Sequence, residues 1–177
     1  LYEQARRPDG IMYNVGRVFL VNDVLDPVGL ADAVRNAAQL HVPLSWSYGA
    51  TRRRLAPEDA VGIEIGAEPV DSAIFDRGIE ARHRAPIDLE HGALLRCWIQ
   101  PLTDQRTAVL FVCHHVSVDA ESFARLWANI ADLYRGIDVA APVVDYPTIM
   151  DHQRHMFADA DLDRWRTADR ADVPSRL

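Results

Sequence analysis

The sequence predicts an α/β fold of the α+β sandwich kind, a mixed sheet flanked by helices. Three observations predict it. Residues 107–113 (TAVLFVC) form an unbroken apolar run of strand length, without alternation, as expected of a strand buried on both faces in the middle of a sheet. Residues 14–21 (NVGRVFLV) form a second β-rich run, closed by Asn22-Asp23. Two longer stretches carry apolar residues at helical spacing: Leu30, Ala33, Val34, Ala37 and Ala38, then Phe123, Leu126, Trp127, Ile130, Leu133 and Tyr134.

The remaining elements follow in order. Asp26-Pro27 predicts a helix start, with Asp26 as N-cap and Pro27 in the first helical position, and the helix should end near Leu40, before Pro43. Residues 44–48 (LSWSY) predict a short strand, and Gly49 to Arg54 a turn into another. Val61, Ile63 and Ile65 alternate with Gly62, Glu64 and Gly66, predicting a half-buried strand with close backbone approach. Residues 71–84 predict a helix capped by Asp71 or Ser72 and closed by Pro86. A strand at 93–100 and a turn at Pro101–Asp104 lead into the central strand. A helix from about Asp119 to Tyr134 ends at Gly136; two more are predicted at 146–157 and 159–170, after a loop at 137–144.

The chain has 177 residues, ample for a real hydrophobic core; 49% of them are hydrophobic and 25% charged, the balance of an ordinary globular domain. A net charge of −7 argues against nucleic acid and anionic membranes as partners. All 19 basic residues are Arg, which excludes any mechanism needing a lysine. Cys97 and Cys113 both sit in apolar runs and build no disulfide framework, so a reduced, cytoplasmic protein is expected. No stretch approaches the roughly 18 apolar residues of a membrane helix, and no signal peptide is visible. The first residue is Leu1 rather than Met, so a piece of a longer polypeptide is expected.

The chemistry-bearing feature is His114-His115-Val116-Ser117-Val118-Asp119 at the end of the central strand. Adjacent side chains of a strand point to opposite faces, so one histidine should face the core and the other an opening, at the strand end where α/β sheets usually place chemistry. An imidazole there can serve as general base toward an amine or hydroxyl. Asp119, beyond a turn, can hold the loop, orient an imidazole or cap the next helix. His152 and His155 are three apart on a predicted helix, without further ligands, and are expected to be a solvated face rather than a metal site. His83 and His91 are expected to be exposed, Arg52 to Arg54 to form a solvated turn, and Trp98, Trp127 and Trp165 to pack in the core.

HHVSVDAES resembles the HHxxxDG signature of nonribosomal peptide synthetase condensation domains and their chloramphenicol-acetyltransferase-like relatives. MYNV is similar to the start of that family's first strand. APIDLEHGALLRCWI resembles its P-[FI]-D-L-x-x-G-P-L-L-R segment, with Ala93 in the usual Pro place. YPTIMDHQRH and LDRWRTADR resemble its closing helices. The resemblance covers nearly the whole chain and implies a chloramphenicol-acetyltransferase-like lobe: residues 1–177 as the N-terminal lobe, with the C-terminal lobe absent. It implies His115 as the catalytic or positioning imidazole for an amine attacking a thioester, with His114 and Asp119 mainly structural. It implies no metal, no directly bound cofactor and no covalent acyl-enzyme. The substrates would arrive on phosphopantetheine arms of donor and acceptor carrier domains.

Two departures stand out. Ala120 occupies the usual Gly position. Ser45 stands where the family has the Arg that pairs with the motif's Asp, if Leu40 to Tyr48 matches the R-H-E-x-L-R-T-x-F segment. Asp119 would then need another Arg, a water or a cap, with Arg17 and Arg96 as candidate partners. The alternatives are a stand-alone O-acyltransferase with the same imidazole chemistry and a degenerate, non-catalytic docking module. A lone lobe is itself expected to be inactive, with apolar surface open near His115.

Overall fold

The computed structural model describes residues 11–48, 53–141 and 146–158. The chain forms two units, Leu1–Ala141 and Pro142–Leu177. In the first, strand β1 (Asn14–Val21) leads to helix α1 (Pro27–Leu40), a 3-10 turn (Val42–Ser45), a one-turn helix α2 (Pro57–Ala60), β2 (Val61–Ile65), α3 (Ser72–Arg84), β3 (Leu95–Pro101), β4 (Thr107–His114) and α4 (Ala120–Tyr134). The described part of the second unit is helix α5 (Tyr146–Ala158).

The sheet has the order β1-β4-β3-β2. β4 pairs antiparallel with both β1 and β3, while β2 and β3 run parallel, so the sheet is mixed as predicted. All eight residues of β4 are buried, which its apolar run required. On one face α1 and α4 pack side by side. Phe19 of β1 stacks on Trp127 of α4 at 4.1 Å between centroids, and Phe111 of β4 meets Phe123 edge-on. On the other face lies α3, whose Phe75 stacks on Trp98 of β3 at 4.5 Å. Arg82 of α3 lays its guanidinium over the same Trp98 and pairs with Glu64 of β2.

The helix starts are as read: Asp26 accepts from Val28 N and Gly29 N with Pro27 in the first turn, and Asp71 accepts from Ala73 N. One expectation is corrected. Residues 44–48 are not a strand. Pro43 sets the φ of a 3-10 turn, Ser45 Oγ donates to the Val42 carbonyl, and β pairing shrinks to a single Trp46–Arg54 bridge. The Ser45 carbonyl and the Ser47 amide still pair with Leu55 and Arg53, so the expected hairpin survives only around that bridge. The one-turn helix α2, opened by Pro57, was not foreseen. The close approach expected around β2 is present at Gly66, where a Cβ would run into the Gln100 side chain. The turn at 49–52, Arg52, Trp165 and the helix expected at 159–170 lie outside the described residues.

Candidate functional site

β4 ends at His114, and its last ladder partner is Asn14 of β1. The chain then turns tightly. Ser117 N and Ser117 Oγ both donate to the His114 carbonyl, at 3.0 and 2.9 Å. His115 leaves the ladder, but its amide still donates to the Tyr13 carbonyl at 2.8 Å. The two imidazoles part as expected, though His115 already belongs to the turn: His114 is 3% exposed and packs inside, its ring 5.8 Å from that of Tyr13, while His115 is exposed.

Their protons are placed oppositely by the backbone. Val116 N–H donates to His114 Nδ1 at 3.1 Å, so Nδ1 holds a lone pair and the neutral ring carries its proton on Nε2. His115 Nδ1 lies 2.8 Å from the Val118 carbonyl, which can only accept, so this ring carries its proton on Nδ1. Its Nε2 is then a lone pair on an exposed ring. Burial lowers the pKa of His114 from the ordinary imidazole value, which keeps that ring neutral.

Asp119 does not touch either imidazole through its carboxylate. It is the N-cap of α4 and accepts from Ser122 N at 2.8 Å, and that bond foremost holds its carboxyl below the ordinary carboxylate value. It is exposed, so the concern over a buried carboxylate without an Arg does not arise: water and the cap serve it. The two Arg candidates are occupied otherwise or remote in role. Arg17 is exposed on β1. Arg96 donates to the carbonyls of Arg82, Ala85 and Pro86 at the end of α3, where helical carbonyls lack partners within the helix. Ser45 is buried in its own turn.

Two residues around the site were not singled out from the sequence. Asn14 donates through Nδ2 to the carbonyls of His83 (2.7 Å) and Ala85 (3.0 Å), tying β1 to the end of α3. His83 is half-buried rather than exposed, because Gly16 leaves room for its ring: a Cβ at Gly16 would lie 2.7 Å from His83 Cδ2. His91 is exposed, beside Asp88. A cavity of about 360 Å³ opens on the α3 face, lined by Arg96, Trp98, Leu110 and Val112 among others, and neither histidine of the pair lines it. Among the described residues no cluster of three His, Cys, Asp or Glu could hold a metal, and His155 Nδ1 bonds the Asp151 carbonyl instead. No described helix is long and apolar enough to cross a membrane. Met12, Val18 and Leu20, on and before β1, are exposed.

No family model matches the chain. Its sequence is 28% identical over 139 residues to tyrocidine synthase 2 of Brevibacillus parabrevis, covering 77% of this chain and 4% of that protein. It is 28% identical over 198 residues to the isonitrile lipopeptide synthase of Mycobacterium tuberculosis, covering 99% of this chain and 8% of that one. Among solved structures, the starter condensation domain of rhizomide synthetase superposes with a TM-score of 0.80 at 15% identity, over 98% of this chain and 46% of that domain. The condensation domain of the monacolin K polyketide synthase gives 0.78 at 16% identity, over 98% of this chain and 41% of that one. The chain thus has the fold of condensation domains, is similar in sequence to peptide synthetases, and spans less than half of each solved chain just named.

Proposed function

We propose that this chain is the N-terminal lobe of a condensation domain, which in its complete form joins two carrier-bound thioesters through an amide bond. The observation that carries the reading is the state of His115: an exposed ring with Nδ1–H committed to Val118 and Nε2 free to accept. An acceptor amine held at Nε2 would attack the donor thioester carbonyl. The C–N bond forms, the C–S bond breaks, and the amine proton passes through Nε2 toward the departing thiolate. His114 closes the turn from inside, and Asp119 caps α4; both hold the loop and neither is placed at the reacting atoms. Donor and acceptor carrier domains supply the substrates on phosphopantetheine arms, and a C-terminal lobe supplies the opposite wall of the site, so residues 1–177 alone should form no peptide bond. The capped, exposed Asp119 supports this reading over a degenerate docking module, since loss of the Arg at Ser45 leaves no stranded charge. Turnover of the parent protein with two loaded carriers tests it. His115→Ala should lower the rate by about 10²–10⁴ with the fold intact; full turnover in that variant would overturn the assignment.

A further inference from the structure

We propose that Asn14 is a positioning residue for His115, acting through the main chain of Tyr13 rather than by touching the ring. The inference rests on His115 being the base. The ladder between β1 and β4 stops at the Asn14–His114 pair, and among the described residues the one β1-side bond beyond it is the His115 amide on the Tyr13 carbonyl. The place of the His115 backbone therefore depends on where the first residues of β1 lie. Among the described residues β1 is an edge strand, paired on one side only, and its first residues would fray if nothing else held them.

Besides the Asn14 amide's own bond to the Ile11 carbonyl and the Tyr13 ring against that of His114, the Asn14 side chain ties the start of β1 to α3. The side chain is 8% exposed, and both of its amide protons go to carbonyls at the end of α3, those of His83 and Ala85. Those acceptors fix the amide's orientation, because only nitrogen can donate to them. Gly16, two residues on and on the same face, admits the His83 ring against the strand and completes the clamp. Arg96 reaches the same Ala85 carbonyl from β3 at 2.6 Å, so the end of α3 is tied to β3 as well as to β1.

The arrangement is poor as a stability device. Asn14 Oδ1 and the Nε2–H of the opposing His114 are both buried without a partner among the described residues. An apolar pair would bury the same surface without leaving polar atoms unsatisfied, so the polar pair points to a geometric duty at this strand end.

The test is the tautomer of His115 in the intact chain, read by long-range ¹H–¹⁵N NMR at alkaline pH, with the signals assigned by their loss in His115→Ala. The wild type should show the Nδ1–H form. Asn14→Asp, which keeps the shape and removes both donors, should let the ring revert toward the mixture of a free imidazole. Arg96→Met loosens the same helix end without touching β1 and should leave the Nδ1–H form in place. Should Asn14→Asp fail to fold, Asn14→Ala, which also removes both donors and adds no charge, decides. A folded Asn14 variant that retains the Nδ1–H form, or an Arg96→Met variant that loses it equally, would overturn the proposal. In the parent protein Asn14→Ser should lower kcat by about 10–100-fold with KM little changed, as for groups that orient a catalytic one. The two readings fail separately. Unchanged turnover in His115→Ala sinks the base and leaves the tautomer result standing; an unmoved tautomer sinks the positioning role alone.

Discussion

Replacing the two histidines one at a time should give opposite outcomes, and the sizes follow from their surroundings. His114→Ala empties a site that is 3% exposed. Truncating a buried side chain of that size costs about 2–5 kcal/mol through lost burial and the cavity left. The Val116 amide also loses its acceptor, which adds about 1 kcal/mol because Val116 is only half-buried. Removing the unpartnered Nε2–H returns roughly 1–3 kcal/mol of desolvation. The net is a loss of about 2–3 kcal/mol, which for a chain of this length lowers Tm by about 4–12 °C. His115→Ala removes an exposed ring and one hydrogen bond to Val118, so its cost should stay below about 1 kcal/mol. Urea and thermal melts of both variants, followed by far-UV circular dichroism, measure the difference. If His115→Ala destabilises as much as His114→Ala, the assignment of one inner and one outer imidazole is wrong, and with it the claim that His115 can be changed without harming the fold.

Acid should weaken the fold in two stages. Burial lowers the folded-state pKa of His114 and of His41, the latter aided by Arg125, so below about pH 6.5 the unfolded chain binds protons that the folded chain refuses and stability falls with pH. The lowered pKa of Asp119 acts later: its contribution, present above its ordinary value near 3.8, fades as pH drops further, and denaturant midpoints from pH 8 to 3 should show both declines. Gly16→Ala should destabilise by about 1–3 kcal/mol, because its methyl meets the His83 ring, which must give up its place against β1; a neutral result in urea melts would show that the ring is free to turn aside. Burial pushes both the Cys97 and Cys113 thiols far up, so neither should react with a thiol reagent at neutral pH until the chain unfolds; rapid labelling of the native protein would show the sheet interior to be open.

Local chemistry decided a large part of this protein, and the sequence alone shows it. Asp26-Pro27, Asp71 and Asp119 announce helix starts because a cap is made by residues within three positions of one another. The run TAVLFVC announces a central strand because burial on both faces leaves no place for a polar side chain. The period of two pointed to the parting of His114 and His115, and the turn that begins at His115 completes it. Tertiary structure decided the rest, where partners lie far apart in the chain. That Arg96 caps α3 rather than answering Asp119, that His83 settles over Gly16, and that Asn14 ties β1 to a carbonyl 71 positions away are facts about which segments the sheet order brings together. No spacing encodes them, since each bond joins groups whose closeness exists only once β1, β4 and β3 have paired and α3 has crossed their face. The 3-10 turn at Val42–Ser45 marks the same divide: it takes the first residues of the segment expected as a strand, because Pro43 fits the turn and the Ser45 hydroxyl bonds the Val42 carbonyl, and strand pairing is left with one bridge.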